Sequence, residues 1–145
     1  MGKLKKVLST LIILIVAVIA SVIARYGMHA LLGPKEMTDA DWDTALTKAE
    51  NDIRPKLPMK VDDVTTLVRV HHSRKVFMYD YKVGVTAAQM PSNGIELVRG
   101  TTKTSVCAKK EMVASMRAGG AYQYIYFDKD EKYLGSFQLM KDDCK

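Results

Sequence analysis

Few residues in this chain could do chemistry. There are two cysteines, Cys107 in TSVCAKKEM and Cys144 in the terminal KDDCK, and two adjacent histidines, His71 and His72. Two thiols with no histidine close in sequence make no metal site, so the chemistry open to them is a disulfide. Neighbouring residues of a strand point to opposite faces, so His71 and His72 cannot converge on one metal or substrate without a bulge. They read as one surface histidine and one at a strand end. The acid pairs Asp62-Asp63 and Asp142-Asp143 flank strand ends and read as solvated turn residues, not as an acid–base couple. DKDEK, residues 128–132, has the acids of a calcium loop but lacks its glycine and distal glutamate, and it suits a hairpin turn. No phosphate-binding glycine loop and no nucleophile elbow occurs. The expectation is a protein that is not an enzyme and holds no cofactor or metal.

The compartment decides what the thiols do. MGKLKK is followed by Val7–Ala24, 18 uncharged residues in which Ser9, Thr10 and Ser21 are the only polar ones. At ~1.5 Å per residue such a helix spans ~27 Å, close to the hydrocarbon thickness of a bilayer. The basic cluster before it puts the N-terminus in the cytoplasm and the rest outside. Residues 1–6 are thus expected as a cytoplasmic tail, 7–32 as a transmembrane anchor with its juxtamembrane segment, and 33–145 as an extracytoplasmic domain. The alternative is a cleaved leader, with VIA before Arg25 as the cleavage match, and a secreted periplasmic product. No cysteine in or just after the run offers a thiol for lipidation. From Pro34 onward 18 basic residues face 16 acidic ones, a net of +2 with no basic stripe, which argues against nucleic acid. In an oxidising space the one intramolecular pairing is Cys107–Cys144. It would close a loop of ~38 residues and stabilise the fold by about 4 kcal/mol in the chain-entropy model. Free thiols or a bridge between chains are the alternatives.

The elements that must position these residues follow from pattern. Gly33-Pro34 is a break, and Thr38 or Asp39 can cap a helix from Ala40 to about Ile53. Trp42, Leu46, Ala49 and Ile53 form its apolar face, and Pro55 and Pro58 end it. TTLVRVHHSRKVFMYDYKV reads as two strands around HSRK. Val68 and Val70 alternate with Arg69 and His71 in the first; Phe77, Tyr79, Tyr81 and Val83 alternate with Met78, Asp80 and Lys82 in the second. IELVRGTTKTSV is a weak helix, and KKEMVASMRAGG a short one closed by glycines. AYQYIYFDKDEKYLGSFQLM is a second hairpin. The order is anchor, α, β, β, α, α, β, β. This predicts an α+β domain with an antiparallel sheet, helices packed on one face and one disulfide.

These features resemble the α/β type of type II secretion pilotin, small periplasmic lipoproteins that help an outer-membrane secretin assemble. The resemblance rests on a helix leading into LPMKVDDVTTLV, a first hairpin, CAKKEMVASMRAGGAYQYIYFD, and a hairpin ending in KDDC, across roughly residues 44–144. It implies the fold, a disulfide at the positions of Cys107 and Cys144, and a helper role in an envelope complex. Those pilotins carry an N-terminal lipid, whereas this chain carries an apolar leader; with that leader the resemblance implies an anchor in the bacterial inner membrane and a periplasmic place for residues 33–145.

Tyrosine is the unusual residue. Tyr79, Tyr81, Tyr122, Tyr124 and Tyr126 are expected on one side of the sheet. There they serve either as large hydrophobes at the edge of a small core or as the lining of a groove for a partner's amphipathic helix. Met78, Ile125 and Phe127 fall on the other side and form an apolar contact patch if nothing covers them. The reading that follows is a membrane-tethered protein-interaction module, an accessory or assembly factor of an envelope or secretion complex. An immunity or exclusion-type inhibitor using the same surface is the alternative.

Overall fold

The computed structural model describes residues 36–145. The expected tail (1–6) and anchor (7–32) lie outside the described residues. Among the described residues no helix is long and apolar enough to cross a membrane.

Helix α1 spans Asp39–Ile53. Thr38 starts it with a reciprocal cap. Its hydroxyl accepts from the Asp41 amide at 3.2 Å, and its own amide donates to the Asp41 carboxylate at 2.9 Å. Trp42, Ala45, Leu46, Ala49 and Ile53 are buried along one face, as their spacing requires. A 3-10 turn at Arg54–Lys56, carrying Pro55, ends the helix and leads to the two-residue strand β1, Met59–Lys60. Strands β2, Thr65–Ser73, and β3, Val76–Val83, form the first hairpin. Arg74 sits at φ 53° in its turn. Two helices follow, α2 (Gly94–Cys107) and α3 (Lys110–Arg117), and then the hairpin β4 (Ala121–Phe127) and β5 (Tyr133–Leu139).

The five strands form one sheet in the order β1-β2-β3-β4-β5. The α+β class holds, but the sheet is not wholly antiparallel, because β3 and β4 pair in parallel. Each hairpin is antiparallel on its own. The direction of one hairpin relative to the other is set by the α2–α3 connection, which returns the chain to the end of the sheet where β3 began. The Ala121 amide donates to the Lys75 carbonyl at 3.0 Å, so β4 starts beside the start of β3.

A second departure lies in β2, where a bulge falls between Leu67 and Arg69. Leu67 and Val70 are the buried residues, and Val68 is exposed with Arg69, so the simple alternation of Val68 and Val70 fails. In β3 the alternation holds, with Phe77, Tyr79 and Val83 buried and Tyr81 half-buried. The core lies between the sheet and the helices. Trp42, Leu46, Ile53, Met112 and Met116 pack there with the ring-bearing face of β3, β4 and β5. Gly120 is needed for closeness, since a Cβ there would stand 2.7 Å from the Trp42 ring.

Cys107 and Cys144 are bonded, with Cα atoms 5.2 Å apart, so the last residue of α2 is tied to the 3-10 turn Lys141–Cys144. Asp143 reinforces the tie. Its carboxylate accepts from Arg99 of α2 at 3.1 Å and from the Met140 amide at 2.9 Å.

Candidate partner-binding groove

The parallel register places Tyr79 opposite Tyr124 and Tyr81 opposite Tyr126, while β5 brings Phe137 opposite Tyr124. Side chains opposite one another across a sheet lie close enough for rings to meet. Tyr79 and Tyr124 have centroids 5.2 Å apart and planes within 17°. Tyr81 and Tyr126 stack at 5.1 Å and 15°, and Tyr124 and Phe137 at 5.1 Å and 18°. The result is an aromatic ladder running across three strands. Tyr122 belongs to the same face but lies deeper, beside Ser115 of α3, with its hydroxyl buried.

Burial dominates the acid–base behaviour of these rings. Desolvation pushes the Tyr122 phenol up to about 12, against a partial offset from the Ser115 hydroxyl. Tyr79, Tyr81, Tyr124 and Tyr126 are all raised for the same reason. Neighbouring phenols add to the effect in Tyr79, Tyr81 and Tyr124, and the Thr102 hydroxyl opposes it in Tyr126. The whole ladder is neutral at any ordinary pH.

The helices do not cover this face completely. A groove of about 410 Å³ remains, floored by Tyr79, Tyr81, Tyr124 and Tyr126. One wall is the β1–β2 connection, with Val61 and Asp62, and Thr65 at the start of β2. The other is α2 and its junction with α3, with Leu97, Thr101, Ser105 and Lys109 at four-residue spacing and Val98, Thr102 and Val106 beside them. Four of the five expected tyrosines thus meet in the groove; Tyr122 does not line it. The sequence reading missed the α2 wall, because Gly100 and three threonines make that helix weak by propensity. Ile95, Val98 and Val106, which fall on one helical face and pack on the core, were the signal that could have found it.

The opposite face is different. Met78, Ile125 and Phe127 are half-buried; Met78 and Ile125 have polar neighbours across the sheet, and Phe127 meets the exposed Tyr133 ring at 6.3 Å. Met78 lies between His71 and Gln123, and Ile125 between Asp80 and Ser136. At the centre Asp80, 1% exposed, accepts from the Arg69 Nε at 2.6 Å. The three residues therefore do not join into one apolar patch. His71 and His72 do point to opposite faces. His71 Nδ1 lies 3.9 Å from Asp80. His72 is not a surface residue, since it sits beneath α1 with Nδ1 2.9 Å from Glu50 and Nε2 3.3 Å from Asp43. Among the described residues no group of three His, Cys, Asp or Glu side chains could hold a metal ion. In the DKDEK turn the Asp128 carboxylate accepts from the Asp130 and Lys132 amides at 2.8 and 2.9 Å, which holds it below the usual carboxylate range.

No family model matches the chain, and no curated protein does. Solved structures do match. The pilotin EpsS of the Vibrio vulnificus type 2 secretion system aligns with a TM-score of 0.64 at 9% identity, over 74% of this chain and 94% of that one. The type II secretion pilotin AspS of Vibrio cholerae aligns with a TM-score of 0.59 at 13% identity, over 73% and 94%. A Pseudomonas aeruginosa protein thought to be secreted aligns with a TM-score of 0.65 at 16% identity, over 74% and 96%. At such identities the likeness is one of fold: the described domain has a pilotin-like α+β fold.

Proposed function

We propose that this chain is a non-enzymatic, pilotin-like accessory factor of a secretion or envelope complex, tethered in the inner membrane by residues 7–32, with its domain in the periplasm. In this reading the tyrosine-floored groove takes the apolar face of a partner's amphipathic helix. One observation carries it: between two walls above the sheet lies a groove of about 410 Å³ whose floor is four stacked tyrosines, three of them buried and Tyr81 half-buried. That volume lies within the ~300–1,000 Å³ typical of binding pockets. The fold shared with two secretion pilotins supports the same reading, and so does the apolar run at Val7–Ala24.

Site-directed photocrosslinking in intact cells tests it. A crosslinker at Leu97, on the exposed rim of the groove, is expected to give one discrete envelope adduct. The same group at Gln123, on the other face, is expected to give none. Adducts from Gln123 alone would move the contact surface off the groove. Protease added outside the inner membrane should remove the domain while an N-terminally tagged fragment stays with that membrane. A tagged fragment in the soluble periplasmic fraction would refute the tether.

A further inference from the structure

We infer that the helix accepted by the groove carries a carboxylate side chain at the border of its apolar face, and that Lys109 selects for it. This rests on the reading that the groove binds a helix, and goes on to say which helices it prefers.

Lys109 is the one basic residue among those lining the groove, and it is half-buried. Among the described residues it makes no ion pair; Lys56, Lys60, Lys103 and Lys110 make none either, but Lys109 alone of these lines the groove. The acid in the groove lining, Asp62, stands on the other wall. Its Oδ1 accepts from the Val64 and Thr65 amides at 2.8 and 2.7 Å, and its charge reaches Tyr126 on the floor, so the groove carries its acid on the wall opposite Lys109. Lysine at such a place lays its methylenes along apolar surface and keeps its ammonium at the rim. The helix α3 begins at the next residue with no side-chain cap, so the positive end of its dipole adds to the ammonium, against an opposing contribution from the exposed Glu111. The remaining polar groups of the groove are mostly hydroxyls; that of Thr101 already donates to the Leu97 carbonyl at 3.2 Å. An apolar trough with one unpaired cation at its edge favours an apolar ligand face bordered by an acid, and disfavours one bordered by a base.

Synthetic helices of about 15 residues, acetylated and amidated so that no terminal charge remains, are the probes. Three share one leucine face and differ only in bearing Glu, Gln or Lys at its border. Binding to the full-length chain in detergent is read by fluorescence anisotropy. The Glu helix is expected to bind about 3–10-fold tighter than the Lys helix, with the gap narrowing as salt rises. Lys109→Glu should invert that order, and Lys109→Met should abolish it. Lys103→Glu, on an exposed position of α2 outside the groove lining, should leave the order intact and controls for overall charge. If all three helices bind alike and Lys109→Glu changes nothing, the role of Lys109 falls while the groove reading stands. If none binds, or if Leu97→Asp leaves binding untouched, the groove reading falls and takes this inference with it.

Discussion

On one face of the sheet Tyr79, Tyr81, Tyr124 and Tyr126 stack beneath the helices; on the other, the residues alternating with them, Met78, Asp80, Gln123 and Ile125, lie beneath none of α1, α2 or α3. The same two strands supply both faces. On the ring-bearing face the stabilising contacts are apolar and extend from strand to strand. On the other, a single buried carboxylate is met by an arginine whose side chain is 67% exposed. The difference teaches where affinity for a partner can come from. The ring-bearing face has unfilled volume above it and an exposed apolar rim at Leu97, and gains by burying more apolar surface. A face of half-buried residues broken up by polar groups gains much less.

The largest expected effect comes from cutting the tie that holds α2 over the rings. Replacing both Cys107 and Cys144 by Ser should lower stability by about 4 kcal/mol in urea unfolding. Amide exchange should rise more in α2 and the C-terminal turn than in β2 and β3; an even rise across the chain would mean that the bridge does not define the groove wall. Next comes a direct contrast between the faces. Tyr124→Ala removes a ring that touches three others and should cost about 3–4 kcal/mol. Its neighbour in sequence, Ile125, is half-buried on the far face, and Ile125→Ala should cost about 1 kcal/mol. Equal costs would erase the distinction.

Alkali sharpens the contrast further. The ladder phenols are raised above 10, so the unfolded chain releases those protons first. Their contribution is complete below pH 10 and is lost as pH rises above it. Ultraviolet titration should therefore show these tyrosines ionising together with unfolding; smooth ionisation of a folded protein would mean that the ladder is hydrated. The smallest effect is expected at the β4–β5 turn. Asp128 is lowered from 3.8 by backbone hydrogen bonds, so its contribution is present above pH 3.8 and fades as pH falls through the lowered value. Asp128→Asn should flatten that acid limb, and an unchanged acid limb would assign it to other carboxylates.

Much of this was legible in the chain. The Thr38 cap, the apolar stripe of α1 and the alternation that sets the tyrosines of each strand on one face follow from local spacing, and the Cys107–Cys144 pair follows from there being two cysteines behind an apolar leader. What was hidden depends on tertiary context. Hairpin pattern carries no information about the direction of one hairpin relative to another, so the parallel pairing of β3 and β4 was missed. The bulge after Leu67 adds a residue that alternation cannot anticipate. His72 does stand at the end of β2, but its partners Glu50 and Asp43 could not be read, because they lie more than twenty positions upstream. The groove needed both the ladder and the α2 wall, and only the ladder had a strong sequence signature.

The parallel seam between β3 and β4 makes the domain divisible. Each side of the seam is a hairpin with its own helix or helices, and the covalent link between them passes through the exposed stretch Pro91-Ser92-Asn93. Broken there, the polypeptide would yield two halves whose only shared sheet contact is that seam. Separately made halves carrying complementary reporters would then register whatever brings them together, turning the scaffold into a split sensor.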